Sequence, residues 1–316
     1  MRDRGLKGLG IAGVAFLAFF APATAVAAPA KPAVTTGAVS NLAQTTVVLN
    51  GNINPNGAAT TYFFQYGPTS LYGAQTPAAT TGNGTKGLKV SLGVAGLAPA
   101  TRYHYRLVGR NSKGLVKGKD RVFTTRRQPL GVTLAATPNP IIAGHSATLA
   151  GQLTGTGNAG RVVALQANPF PYTQGFLTLG NSQVTGPTGA FSFPLLSVAV
   201  NTQYRVLMPA NPRIVSPIVV LGAAVRVTTH AKARGSRLRF SGRIRPGAPG
   251  SQIVILKRRH GKWVRVGRTF ARARSGGYSA YRKVIHRVRG RYRIAAVVEG
   301  AYTGNFGRVV VVHRRR

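Results

Sequence analysis

Apolar residues along the chain occur in short runs in which hydrophobic and polar positions alternate. Runs of about five to nine residues, rich in Val, Thr, Tyr, Phe and Ile, are separated by clusters of Gly, Pro and Asn. A period of two is typical of half-buried β-strands, and no stretch of 12 or more residues has the 3.6-residue period of a helix. The pattern therefore predicts an all-β fold built from antiparallel β-sandwiches.

The first 28 residues have the pattern of a secretory signal peptide. Basic residues precede an apolar stretch at residues 9–21, and an A-x-A cleavage site follows at Ala25 and Ala27. An uncleaved anchor is the alternative, but the stretch is shorter than the ~20 residues that span a bilayer. The sequence thus predicts an exported chain, extracellular or at the cell surface, without a transmembrane segment in its mature part.

Breaks in the strand pattern divide the rest of the chain into three units. The first break is rich in Thr, Arg and Pro near residues 126–129, and the second is a Gly-Ala segment near residues 222–225. The predicted domains are residues 33–125, 129–222 and 223–316, each of about 95 residues, which is a normal size for one sandwich.

The first unit contains motifs that can be compared with a known domain family. The motifs are an L-x-P-x-T-x-Y element at Leu97, Pro99, Thr101 and Tyr103, a turn at Asn111, Ser112 and Gly114, and a closing Phe123, Thr124 and Thr125. This unit resembles bacterial fibronectin type III domains. The resemblance implies a sandwich in which buried Tyr103 directs its hydroxyl to nearby backbone, as a tyrosine corner. Such domains often occur in the same chain as glycoside hydrolases. The resemblance implies this association only, and no catalytic activity.

The second and third units resemble each other. Residues 147–153 match residues 238–244, Tyr204 to Val206 match Tyr292 to Ile294, and Gly189 to Phe191 match Gly276 to Tyr278. Order and spacing agree, so we interpret the two units as an internal duplication. Their pattern resembles the Ig-like repeat domains of bacterial surface and secreted proteins.

The composition argues against most enzyme chemistry. The three carboxylates are Asp3, Asp120 and Glu299, and cysteine is absent. Paired carboxylates for glycoside hydrolysis, clustered oxygen ligands for hard cations and thiolate nucleophiles are therefore missing. The six histidines have no metal-ligand spacing. We expect no enzyme, no metal site and no cofactor, and we expect Asp120 to be neutralised by Lys119 or Arg121.

The positive charge is concentrated in the third unit. The chain has 43 Lys and Arg residues and a net charge of +40; 25 of these residues lie at 223–316 and only 3 at 128–222. Since the two units share a fold plan, the fold does not require this charge. The residues predicted to bind an anionic polymer are Arg237, Arg239, Arg243, Arg245, Lys257, Arg258, Arg259, Arg291 and Arg293. We expect Arg237, Arg239, Arg243 and Arg245 to face water because they alternate with apolar residues.

Three functions remain open for this sequence. The first is a non-enzymatic exported protein that binds anionic polymers of the cell envelope or extracellular matrix, without sequence-specific DNA binding. The second is an accessory carbohydrate-associated module, although Trp263 and Tyr278 are expected to face the core rather than form a sugar platform. The third is a structural spacer whose basic surface is merely solvated.

Overall fold

A computed structural model describes residues 28–286 and 289–313. The predicted signal peptide therefore lies outside the described residues, apart from its last position. The described ranges contain strands, turns and bridges and no helix, so no helix there is long and apolar enough to cross a membrane. Every strand ladder but one is antiparallel. The predicted all-β class with tandem sandwiches is confirmed.

The chain divides into two compact units, with the division after Arg126. The first unit is one sandwich with its own core around Leu49, Phe64 and Leu107. Strands β1, β2 and β6 form one sheet, and β3, β4, β5, β7, β8 and β9 form the other. The bounds are β1 Ala33–Thr36, β2 Thr46–Asn54, β3 Thr60–Gly67, β4 Ala74–Gln75, β5 Ala79–Gly82, β6 Leu88–Ala95, β7 Arg102–Asn111, β8 Gly114–Lys117 and β9 Arg121–Thr124.

Tyr103 in β7 has the geometry that the sequence predicted for a tyrosine corner. Its ring is buried and stacks on Phe123 at 5.5 Å between ring centroids. Its hydroxyl oxygen accepts a hydrogen bond from the backbone N–H of Ala98, five residues earlier, at 2.9 Å. The hydroxyl thus has a partner although the ring is buried, as burial of a tyrosine requires.

The second compact unit contains two hydrophobic cores, and we refer to the segments around them as the second and third sandwiches. The strands around the first of these cores are β10 Gly131–Val132, β11 Ala135–Thr137, β12 Ile141–Ile142, β13 Ala147–Thr154, β14 Val162–Pro169, β15 Leu177–Val184, β16 Ala190–Leu195, β17 Thr202–Met208, β18 Ile214–Val215 and β19 Val219–Leu221. Strands β10, β11 and β16 pair with β13, while β14, β15, β17, β18 and β19 form the opposite sheet.

The third sandwich repeats this arrangement. Its strands are β20 Ala223–Ala224, β21 Arg226–Val227, β22 His230–Arg234, β23 Arg237–Arg245, β24 Gln252–Arg259, β25 Lys262–Phe270, β26 Arg272–Arg274, β27 Tyr278–His286, β28 Gly290–Val297, β29 Asn305–Phe306 and β30 Val310–Val312. Strands β21, β22 and β27 pair with β23, with β26 beyond β27, and β24, β25, β28, β29 and β30 form the opposite sheet. Strand β20 pairs in parallel with β12.

The registers of the two sandwiches correct one of the matches made from sequence. Phe191 lies opposite Gly151 in the second sandwich, and Tyr281 lies opposite Gly242 in the third. Tyr281 is therefore the counterpart of Phe191, and the match of Phe191 with Tyr278 is wrong. Each ring covers a glycine whose missing side chain leaves it room.

The segment at residues 221–225 is not an exposed linker. All five of its residues are buried. The N–H of Thr303 donates to Ala223, and the N–H of Val225 donates to Thr303, at 2.9 and 3.0 Å. Tyr302 packs against the cores of both the second and the third sandwich. The chain therefore passes from one sandwich to the next through a packed joint, and the domain boundary near this segment stays a prediction.

Candidate polyanion-binding surface

Strand β23 alternates between core and solvent as the sequence predicted. Leu238, Phe240 and Ile244 are at most 1% exposed and belong to the core of the third sandwich. Arg237 and Arg243, with Arg239 and Arg245, lie on the opposite, outer face. The alternation follows from the pleat of the strand, which sends successive side chains to opposite faces.

Neighbouring strands add basic residues to this outer face. Residues directly paired across antiparallel strands have their side chains on the same face, and Lys232 and Arg234 of β22 pair with Arg239 and Arg237. The same pairing rule places residues of β21, β26 and β27 on this face. We define the basic face as Arg226, Lys232, Arg234, Arg237, Arg239, Arg243, Arg245, Arg272, Arg274 and Arg282, with His230 and His286 at its margins.

The sequence itself carries a signal for some of these additional residues. His230, Lys232 and Arg234 alternate with alanine, and Arg272 and Arg274 flank Ala273. Period two in such short segments indicates an outward row, but only strand pairing assigns that row to one sheet. Their place beside β23 is therefore a result of the tertiary structure.

No carboxylate neutralises the basic face within the described part of the third sandwich. Glu299 is exposed and follows β28, which belongs to the opposite sheet. Among the described residues, no ion pair joins a cation of the basic face to a carboxylate.

Tyr278 occupies one end of the basic face. The guanidinium carbons of Arg243 and Arg245 lie 4.7 and 5.3 Å from its ring centroid. Both are cation–π contacts at a partly exposed site. The expectation that Tyr278 faces the core is wrong, because the register places Tyr281 there instead.

The remaining predicted ligand residues are spread over other parts of the third sandwich. Arg258, Arg291 and Arg293 lie on the outer face of the opposite sheet, where Arg293 stacks on Phe306 at 4.2 Å. Arg259 lies at the end of the β24–β25 hairpin, opposite Lys262. The nine predicted residues therefore do not form a single surface.

Lys257 points to the inside of the sandwich rather than to the hairpin tip. It is 9% exposed, and its ammonium group lies 5.9 Å from the ring centroid of Tyr292. Burial, followed by the positive charges of Arg259 and Arg289, lowers the pKa of Lys257. This placement removes Lys257 from the outer surfaces that could contact a polymer.

Trp263 lies on the outer face of the opposite sheet. It pairs with exposed Arg258 across the β24–β25 ladder and does not belong to the hydrophobic core of this sandwich. The expectation that Trp263 faces the core is therefore wrong. A one-residue register shift between Ile255 and Leu256 changes which residues of β25 face outward, and the sequence pattern alone did not reveal it.

The second sandwich provides a neutral copy of the basic face. Its strand β13 pairs with β10, β11 and β16 as β23 pairs with β21, β22 and β27, and β26 has no counterpart among the described strands. The outer positions of this sheet include no charged residue; they are Gly131, Ala135, Thr137, Thr148, Ala150, Gln152, Thr154, Ala190, Ser192 and Pro194. The two sheets therefore share this central arrangement, but one outer face is basic and the other is uncharged.

Asp120 in the first sandwich has partners that the sequence did not predict. Its carboxylate lies 2.8 Å from Nδ1 of His104 and accepts a hydrogen bond from the hydroxyl of Tyr72 at 2.9 Å. The expectation that Lys119 or Arg121 neutralises Asp120 is therefore wrong. Arg121 instead donates to the carbonyl of Thr36 at 3.4 Å. Burial raises the pKa of Asp120, but the hydrogen bonds from His104 and Tyr72 outweigh it and leave the pKa below its usual value.

Comparisons with known proteins add little to this description. No model of a known protein family matches the chain, and no curated protein matches it. Among solved structures, the FN1–FN3 domains of chicken CNTN1 match with 15% identity and a TM-score of 0.30, covering 91% of this chain and 99% of that one. A tetra-tandem repeat from the extending region of a large adhesion protein matches with 16% identity and a TM-score of 0.30, covering 90% and 74%. A segment of titin domains matches with 12% identity and a TM-score of 0.39, covering 89% and 99%. At such scores these likenesses carry no argument about function.

Proposed function

We propose that this protein is a non-enzymatic, exported modular protein that binds anionic polymers through the basic face of its third sandwich. The observation that carries the proposal is the contrast between two sheets of one architecture. One has ten Lys and Arg residues on its outer face, eight of them on strands with a counterpart in the other sheet, and the other has none. The second sandwich adopts the same fold without these charges, so the fold does not require them. We therefore attribute the charges of the third sandwich to the binding of a ligand.

The chemistry of the basic face favours phosphate or carboxylate ligands. Nine of its ten cations are arginines, whose planar guanidinium groups bind such anions with two parallel hydrogen bonds. A polymer that replaces mobile counterions on this face gains entropy from their release, so its affinity falls steeply as salt concentration rises. The predicted signal segment suggests cell-envelope or extracellular polymers as ligands. The bacterial fibronectin type III and Ig-like character of the sandwiches is part of the same proposal.

The test compares two variants of the full chain that lose the same number of charges. In the face variant, Arg237, Arg239, Arg243 and Arg245 are each changed to Gln. In the matched control, Gln replaces the exposed outer residues Arg258, Arg265, Arg268 and Arg291 of the opposite sheet. Affinity for duplex DNA, used as a model polyanion, is measured between 50 and 200 mM salt.

We expect the face variant to flatten the slope of log affinity against log salt by about 3 to 4, at roughly 0.9 per lost phosphate contact. The control variant should change the slope by less than about 1. Equal effects of the two variants would mean that the net charge and not the basic face determines binding. If the parent chain binds no polyanion even at 50 mM salt, the basic face is a solvated surface and the spacer function is favoured.

The outward position of Trp263 supports a second candidate function, a carbohydrate-associated module. An aromatic ring on an outer face beside Arg258 could lie against a sugar ring. Retention of the full chain on an insoluble neutral polysaccharide, lost on Trp263→Ala and unaffected by high salt, would support this function. If the full chain is not retained on the polysaccharide at any salt concentration, this function is contradicted.

A further inference from the structure

We propose that one end of the basic face is a discrete pocket for a compact oligophosphate group; this inference rests on the proposed function and names the anion class. The pocket lies where the β22–β23 hairpin meets β27 and has a volume of about 750 Å³. Its lining includes five cations, namely Lys232, Arg234, Arg237, Arg239 and Arg282, and no acidic residue. This volume is in the range of small-molecule sites.

Strand pairing brings these cations together at a cost to the fold. Lys232 lies directly opposite Arg239, and Arg234 lies directly opposite Arg237. Like charges at directly paired positions destabilise an antiparallel ladder. Two such pairs in consecutive rows of one hairpin would be relieved by an anion bound between them.

The side chains of the pocket also differ from the cations at the other end of the basic face. Arg243 and Arg245 stack on Tyr278, whereas none of the five pocket cations has a side-chain hydrogen bond, ion pair or ring contact to another described residue. Their donors are therefore available to a ligand. Two pairs of opposed cations with Arg282 beside them form a site for several negative charges within one small group.

A phosphate chain matches this arrangement better than a single carboxylate. Phosphate offers three acceptor oxygens to arginine forks, and a terminal phosphate carries about 1.5 to 2 negative charges at pH 7. A linear triphosphate therefore concentrates about four charges in a group that is small relative to the pocket. A single carboxylate would leave most of the five cations unpaired.

The experiment uses the full chain with inorganic tripolyphosphate as the probe, and titration calorimetry at low salt measures stoichiometry and affinity. We expect one site per chain and at least 10-fold weaker binding of orthophosphate. The pocket variant combines Arg234→Gln with Arg237→Gln, and the control variant combines Arg243→Gln with Arg245→Gln. Both lose two charges from the basic face, but only the pocket variant should weaken tripolyphosphate binding by 10-fold or more.

A second measurement guards against misfolding of the pocket variant. Without ligand, its urea midpoint followed by Trp263 fluorescence should equal or exceed that of the parent, because a like-charged pair has been removed. If the variant fails to fold, Lys232→Gln alone serves instead, with at least a 3-fold loss of affinity expected.

The outcomes separate this inference from the proposed function. If duplex DNA binds and tripolyphosphate does not, the pocket is wrong and the polyanion function stands. If neither binds, both proposals are wrong. Equal losses in the pocket and control variants, or equal affinities for orthophosphate and tripolyphosphate, would show a diffuse cationic surface and overturn the pocket.

Discussion

Removing the side chain of Asn201 should weaken the coupling between the second and third sandwiches. Asn201 precedes β17, and its amide nitrogen donates to the carbonyl of Gly300 at 2.8 Å. Its side-chain oxygen accepts from the N–H of Ala223 and from the hydroxyl of Thr303, both at 2.9 Å. One side chain from the second sandwich therefore bonds to three points on the segments that begin and complete the third.

The magnitude follows from what Asn201→Ala leaves behind. Ala223 is fully buried, so its N–H would lose its partner without access to water, at a cost of about 1–3 kcal/mol. The other two hydrogen bonds contribute about 0.5–1.5 kcal/mol each, and less where water can replace them. We therefore expect a loss of roughly 2–4 kcal/mol, which lowers the urea midpoint by about 1–2 M at a slope of about 2 kcal/mol per M, the middle of the usual range.

The assay uses the single tryptophan of the chain. Trp263 lies in the third sandwich, so its fluorescence during urea unfolding reports that sandwich although the substitution is in the second. Asn158→Ala is the matched control: Asn158 donates to Leu153 and Thr188 inside the second sandwich. We expect the control to move the Trp263 transition by less than half as much. An unchanged transition in Asn201→Ala would refute the claim that this joint couples the two sandwiches.

Two further predictions concern the core and the first sandwich. A Cβ on Gly242 would overlap the carbonyl of Thr228 and the hydroxyl of Tyr281. Gly242→Ala should therefore lower the free energy of unfolding, followed by circular dichroism, by about 1–3 kcal/mol. Gly93 has open space around it, so Gly93→Ala should not lower this free energy. Since the pKa of Asp120 is lowered in the folded chain, its contribution to stability is complete above its ordinary value of 3.8 and is lost as the pH falls through the folded value. The protection factors of the β7 amides against hydrogen exchange should therefore fall below about pH 4 in the parent, and Asp120→Asn should lack this acid-dependent fall.

Much of the fold was predictable because strand periodicity is a local property. The alternation in β23 identified Leu238, Phe240 and Ile244 as core residues, since each side chain's face depends only on its position along one strand. Tyr103 was predictable for the same reason, because its partner Ala98 is five residues away in a tight corner.

The candidate site was predictable only in part. Arg237, Arg239, Arg243 and Arg245 were found from a single strand, but Lys232, Arg234 and Arg282 joined them through pairing with β22 and β27. Lys257 was misassigned because it was read as part of a charged hairpin tip, although it continues the inward row of Ile253 and Ile255 in β24. Trp263 was misassigned because its face is set by its pairing with outward Arg258, a contact between strands that the alternation within β25 does not reveal.

The sequence by itself thus determined the all-β class, the alternation of β23 and the concentration of charge in residues 223–316, because these depend on composition and on neighbours along the chain. The tertiary structure decided which cations share a face, that residues 221–225 are buried in a joint, and that Asp120 bonds to His104. These features depend on contacts between segments distant in sequence. Strand register and sheet order, which local periodicity does not encode, determine them.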